Sequence, residues 1–323
     1  MRHSLPWAIA ILLSLTARVD SAIRPGEVWL DDRGQLIQAH GGGMLRFGPT
    51  FYWFGEDRTP TNDRQKRFVS CYASEDLVHW RFRHSVLQLA DPAGLGEGWV
   101  LERPKVFYNA HTRKFLLYAH LDDRQYKLAR VLVAVSDTVD GDYQFVKSLR
   151  PLEQESRDIG QFVDDGTAYL IFESRPTKGF FIARLSDDFL QVDKPMSLVK
   201  APHEGGTPVH YGDLLCARFS PDRVASQSQR LCHCSESKWP WSEFHDMAPP
   251  ETNTYGSQST MLLKVQGTQT TTVIYMGDVC KPQVLSDSRY FWMPVTIGEG
   301  RLILPSPSPW TIHVQTRQSQ ILH

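Results

Sequence analysis

The 323-residue chain has no excess of charge of either sign: 35 Lys and Arg stand against 36 Asp and Glu. That leaves out the electrostatic footprint of a nucleic-acid binder or of a protein held on an anionic membrane. Cysteine is scarce and odd in number. With only Cys71, Cys216, Cys232, Cys234 and Cys280, a small disulfide-stapled scaffold is excluded, and at most two bridges can form within the chain. Cys232-His-Cys234 hints at metal, but no second ligand pair follows at a zinc spacing, so neither metal nor cofactor is expected. Asn-x-Ser/Thr sequons are absent, and N-glycosylation is not expected. Past the first two dozen residues no apolar run is long enough to cross a membrane. Helical periodicity is nearly missing too, which turns attention to strands.

What is present begins with an address. Arg2 and His3 precede the apolar run Leu5 to Leu15, and the small residues Ser21 and Ala22 follow. This is the pattern of a secretory signal peptide over residues 1–22, with an uncleaved anchor as the alternative. A secreted, monomeric protein comprising residues 23–323 as a single domain is expected. The remaining chain is rich in aromatics, 11% of all residues, which suits either many short strands or a sugar-binding cleft.

Five hairpin-like units recur. Their second strands include Phe51-Tyr-Trp-Phe54, Phe115-Leu-Leu-Tyr118, Ala168-Tyr-Leu-Ile-Phe172, Leu214-Leu-Cys-Ala217 and Thr272-Val-Ile-Tyr-Met276, each after a turn carrying Gly, Asn or Asp. Third strands follow several of them, at Phe68–Ser74, Val131–Ser136, Phe180–Ser186 and Leu231–Ser235, and most lead through an acidic turn to an apolar anchor. Equivalent positions lie 64, 54, 46 and 58 residues apart, so the units are unequal β-repeats of propeller-blade size. The expectation is an all-β, five-bladed β-propeller, with a β-sandwich as the alternative.

Polar residues fall in phase with these units, shortly before each hairpin: His40-Gly41, Glu102-Arg103, Arg157-Asp158, His203-Glu204 and Gln258. In a propeller the innermost strands line one channel, so carboxylates distant in sequence become neighbours. Such a ring suits glycoside hydrolysis, in which one acid protonates the leaving oxygen and another group activates water.

At these residues the sequence resembles glycoside hydrolase family 43, and within it the exo-β-1,3-galactanase branch. The resemblance rests on stretches such as Ile37-Gln-Ala-His-Gly-Gly-Gly-Met-Leu45, Phe51-Tyr-Trp-Phe-Gly-Glu-Asp57, Glu102-Arg-Pro-Lys-Val106, Asp164-Asp-Gly-Thr-Ala-Tyr-Leu170 and Tyr275-Met-Gly-Asp278. It implies an inverting hydrolase in which Glu204 is the acid, Asp158 modulates its pKa and Gln258 stands in for a base. The family's usual base Asp precedes the first hairpin, where this chain has His40-Gly41-Gly42. Glu56, Glu102, Arg103 and Tyr126 match sugar-contacting positions. The implied partner is a neutral polysaccharide or oligosaccharide, with no nucleic acid and no membrane. Departures cluster in the fourth unit: Glu204 is followed by Gly-Gly-Thr, and Phe219 to Cys234 carries a polar Ser and Gln run. The alternatives are therefore a galactan-binding propeller without catalysis, or a family 43 hydrolase of arabinans or xylans.

Overall fold

The computed structural model describes residues 22–200, 203–211, 214–221, 230–235, 245–298, 301–313 and 318–322. The leader sequence and the Cys232 and Cys234 side chains lie outside the described ones. Among the described residues the regular structure is strand apart from a few single-turn 3-10 helices.

Strands β1 (His40–Phe47), β2 (Thr50–Glu56), β3 (Lys66–Ser74) and β4 (Arg81–Ala90) form an antiparallel meander. A second meander comprises β5 (Val100–Asn109), β6 (Lys114–Asp122), β7 (Arg130–Ser136) and β8 (Gln144–Leu149). A third is β9 (Ile159–Asp164), β10 (Thr167–Ser174), β11 (Gly179–Leu185) and β12 (Val192–Lys200). Next come β13 (His203–Tyr211), β14 (Leu214–Pro221), β15 (Arg230–Ser235) and β16 (His245–Asp246), then β17 (Gln258–Gln266), β18 (Thr271–Val279), β19 (Arg289–Gly298) and β20 (Arg301–Ile303). The first strands of the meanders stand round a common axis: β1 contacts β5, β5 contacts β9, β9 contacts β13, β13 contacts β17 and β17 contacts β1. This is an all-β propeller.

The expectation of a five-bladed propeller needs correction. Four blades, built on β1, β5, β9 and β17, are complete in strands and side chains. The β13–β16 segment is described mainly as paired backbone; residues 222–229 and 236–244 lie outside the described ones, and its outer strand has two residues. The physical reason lies in its outer pairing: among the described residues β16 meets β15 only at Arg230 and Leu231, too short a ladder for a strand of ordinary length.

Blades hold together through face-to-face burial of aromatic and branched side chains. Trp53, Tyr72, Trp80, Tyr290, Trp292 and Trp310 join the first blade to the last, with Trp53 and Trp292 ring centroids 4.6 Å apart. Phe54, Cys71, Leu117 and Tyr143 join the first to the second; Phe107, Tyr118, Ile159 and Phe172 join the second to the third. The Ser ending a third strand caps the turn after it: Ser74 Oγ accepts from the Leu77 N–H at 2.8 Å, dropping Leu77 into the core. The ring is closed where Ile23 and Trp310 exchange backbone hydrogen bonds of 2.7 and 3.0 Å.

Trp53 is 1% exposed and packs on four other aromatic rings of this seam besides Tyr72. Trp53→Ala is expected to cost about 3–5 kcal/mol, as large core truncations do. Urea unfolding with an unchanged m-value checks this, and a loss below about 1 kcal/mol would remove the seam from its role.

Candidate active site

Each complete blade places a pair of polar residues at the same end of the channel. One lies at or near the start of the inner strand, and its partner lies at or within two residues of the end of the second strand. The pairs are His40 with Glu56, Glu102 with His120, Asp158 with Glu173, and Gln258 with Asp278. The inner strands are bulged just past the paired residue, at His40/Gly43, Glu102/Lys105 and Ser259/Met261. A bulge adds a residue and re-aims the side chains beside it, here toward the axis. Arg103 sits in the left-handed region at φ 54° and Gly41 at φ 59°. A Cβ on Gly41 would lie 2.7 Å from Glu56 Oε1, so only glycine suits that position.

The result is a cleft of about 610 Å³ lined by His40, Glu56, Arg58, Glu102, Arg103, Tyr126, Asp158, Glu173, Gln258 and Asp278 among others. Six of the seven sequence-derived site residues thus meet in one place. The seventh, Glu204, lies on β13 with its backbone opposite Ser220; its side chain lies outside the described ones. A bulge follows it at Glu204/Thr207, as in three other blades.

Arg103 organises the floor. Its guanidinium lies 2.8 Å from Asp158 Oδ2 and donates to the Ser259 carbonyl at 2.8 Å, while its backbone N–H donates to Glu56 Oε1 at 3.0 Å. Glu56 also pairs with Arg58. Burial nevertheless raises the Glu56 pKa to about 7, opposed by Arg58 and reinforced by Glu102. Glu102 goes the other way. Burial opposes its ionisation, but the His120 hydrogen bond and charge, with Arg58 and Tyr126, hold its pKa at about 2. The Tyr126 hydroxyl donates to Glu102 Oε1 at 2.9 Å, and His120 Nδ1 lies 3.3 Å from Oε2. Beneath them, His120 Nε2 bonds Asp122 Oδ2 at 2.9 Å, and Arg157 bonds the same oxygen at 3.1 Å.

Several contributors carried no role in the sequence reading: Arg58, His120, Glu173 and Asp278. A signal existed for three of them, since His120, Glu173 and Asp278 lie close to the ends of second strands, as Glu56 does. Glu173 is 7% exposed, and its Oε2 has no hydrogen-bond partner among the described residues. Burial and then the Asp158 charge raise its pKa to about 7. His40, stacked on Tyr290 and bonded to Gln38, is driven down to about 3 by burial and then Arg58, so it is neutral over the whole working range.

The arrangement can bind a polyhydroxylated ring. Ionised Glu102 accepts from hydroxyls, Arg58 and Arg103 donate, and buried partners fix every group before a ligand arrives.

The pattern of Glycosyl hydrolases family 43 matches residues 42–213. Among solved structures, the exo-β-1,3-galactanase of Phanerochaete chrysosporium with galactose is 34% identical, with a TM-score of 0.87, over 94% of this chain and 71% of that one. The exo-β-1,3-galactanase of Clostridium thermocellum is 29% identical, with a TM-score of 0.86, over 94% of this chain and 69% of that one. A putative exo-β-1,3-galactanase from Bifidobacterium bifidum is 27% identical, with a TM-score of 0.80, over 87% of this chain and 96% of that one. No curated protein matches the chain.

Burial lowers the His120 pKa, but the bonds to Asp122 and Glu102 outweigh it and bring the value to about 9. A raised pKa contributes stability that is present below the usual 6.5 and is lost as pH rises through about 9. His120→Asn is therefore expected to cost about 3–5 kcal/mol near pH 6, because Glu102 and Asp122 lose a buried cation, and much less near pH 10. Denaturant midpoints across that range test it; a gap that does not change with pH would contradict the charged assignment.

Proposed function

This chain belongs to glycosyl hydrolase family 43, and from that premise we propose that it is an exo-acting hydrolase of β-1,3-galactan that inverts the anomeric carbon. The observation that carries the reading is the convergence of Glu56, Glu102, Arg103, Tyr126, Asp158 and Gln258 on one cleft.

The terminal sugar rests among Glu56, Glu102, Arg103 and Tyr126. Glu204 donates a proton to the glycosidic oxygen as the bond to C1 breaks. Asp158 stands just before β9, the strand that contacts β13 of the acid, and a negative neighbour keeps a carboxylic acid protonated to higher pH. Arg103 tethers Asp158 at 2.8 Å and sets where that charge sits. Gln258, from the last blade, positions water on the opposite face of the ring. Separating the water-bearing and proton-donating groups by about 6.5–9.5 Å leaves room for that water and produces inversion. A net charge of −1 suits an uncharged polymer, which needs no electrostatic steering. A family 43 activity on arabinans or xylans fits less well, because those branches use the Asp that His40-Gly41 replaces here. The leader pattern of residues 1–22 supports an extracellular location.

Incubation with β-1,3-galactan is expected to release galactose, with the α-anomer first by proton NMR. Glu204→Gln is expected to lower kcat by about 10²–10⁴-fold. Binding of galactooligosaccharide without any turnover by the wild-type protein would instead establish a non-catalytic galactan-binding propeller. Undiminished release by Glu204→Gln would move the acid to another residue.

A further inference from the structure

Water activation is the weak point of the site. A neutral amide such as Gln258 is a poor proton acceptor, so a genuine base has to stand behind or beside it. Among the described carboxylates of the cleft, Asp57 is taken up by the Thr59 N–H, the Asn62 amide and the Ser70 hydroxyl. Glu102 is held at about 2 by His120 and Arg58 against the effect of burial, which makes it a feeble base. Asp158 is bound to the Arg103 guanidinium, and Glu56 is clamped between Arg58 and the Arg103 N–H. Glu173 stands beside Asp158 on the third blade, away from Gln258. His40 is too weakly basic at about 3, through burial and then Arg58.

Asp278 differs in position. It is the last but one residue of β18, directly opposite Gln258 at the start of β17, and both line the cleft. Directly opposed residues on an antiparallel pair share a face, with Cβ atoms about 4.5–5.5 Å apart. The carboxyl is anchored by one oxygen: the Gly41 N–H donates to Asp278 Oδ2 at 2.6 Å. Gly41 itself cannot drift. Its carbonyl accepts from the wholly buried Lys105 Nζ at 2.7 Å, the Gly42 carbonyl accepts from the same ammonium at 3.0 Å, and Glu56 and Arg103 crowd its Cα.

We propose that Asp278 is the positioning residue behind Gln258, orienting the amide and accepting the proton that the amide relays from the attacking water. This rests on the hydrolase reading above. In the step, the water oxygen bonds to C1 while one of its protons passes to the Gln258 amide oxygen. The Gln258 nitrogen gives a proton to the Asp278 carboxylate, leaving the imidic form. The C1–O bond breaks with its electron pair on the leaving oxygen, which takes the Glu204 proton. After product leaves, the relay reverses and the Asp278 proton returns through Gln258 to solvent, while Glu204 is reprotonated. The net change is water plus glycoside to galactose plus shortened glycan.

The groups facing Asp278 are Arg58 from the segment after β2, Arg103 and Lys105 of β5, Tyr290 of β19, and Cys280 beyond the end of its own strand. Burial raises Asp278 to about 6, opposed by the Gly41 bond, Arg103, Lys105 and Arg58, so it ionises just below neutrality. That basicity suits an acceptor near the operating pH.

The test uses Asp278→Asn and Asp278→Ser, each able to keep an acceptor for the Gly41 N–H, with β-galactosyl fluoride as a substrate that needs no acid. Expected is a fall in kcat of about 10²–10⁴-fold for both variants with KM within threefold, on galactan and on the fluoride alike. Glu204→Gln should instead lose far more turnover on galactan than on the fluoride, because only the glycoside needs an acid. Added azide should restore fluoride turnover by the Asp278 variants and yield α-galactosyl azide, which a merely structural role would not produce. The acid limb of the kcat profile near pH 6 should disappear in Asp278→Asn. No azide rescue in either variant, or wild-type kcat, overturns the proposal while leaving the hydrolase intact. A wild-type protein inactive on galactan and fluoride overturns the underlying reading instead.

Discussion

Arg103 is the residue on which the rest of the site depends. From β5 it reaches Asp158 beside β9, the Ser259 carbonyl on β17 and, through its backbone, Glu56 at the end of β2. One left-handed residue thus ties four blades together where they converge. Propeller blades contact one another mainly through apolar faces, which set spacing but resist sliding poorly. Directional bonds from a buried guanidinium supply the missing register at the mouth of the channel. Lys105, two residues on and wholly buried, repeats the device one layer lower by binding the Gly41 and Gly42 carbonyls.

These two cations also explain why so many carboxylates can be buried together. Desolvation alone would neutralise all of them. The cations and His120 are spread unevenly, so the carboxylates part company. Glu102, flanked by His120 and Arg58, stays ionised to about pH 2, while Glu56 and Glu173, where burial dominates, take up protons near pH 7. Lys105 is itself lowered to about 7 by burial and then the charge of Arg103. A site built this way holds acceptors and donors ready for a neutral sugar without a net charge that would bind counter-ions.

Much of the site could be read from the linear chain because propellers repeat. Glu102, Arg103, Asp158 and Gln258 stand just before or at the start of an inner strand, so phase alone marks them. Their partners at the other strand of each hairpin share that phase, yet His120, Glu173 and Asp278 are less visible. A histidine or acid closing a strand reads as an ordinary turn residue until its cross-strand partner is known. Arg58 lies in a loop outside the repeat and gave no signal. The fourth unit shows the opposite failure. Its hairpin pattern suggested a blade like the others, but among the described residues its outer strand pairs only at Arg230 and Leu231.

The sequence by itself determined the strand content, the polar residue at each inner strand and the neutral charge balance. All three follow from local periodicity and composition, which need no partner to be visible. Only the tertiary structure decided which carboxylates stay ionised, which take up protons near neutrality and which are clamped. Those properties come from burial and from charges that arrive from other blades. Asp278 is the clearest case: in the chain it is one Asp after a glycine, and in the fold it meets Gly41 from the far end of the sequence, opposite Gln258. A pKa is a property of surroundings, and in a closed ring those surroundings are assembled from residues more than two hundred positions apart.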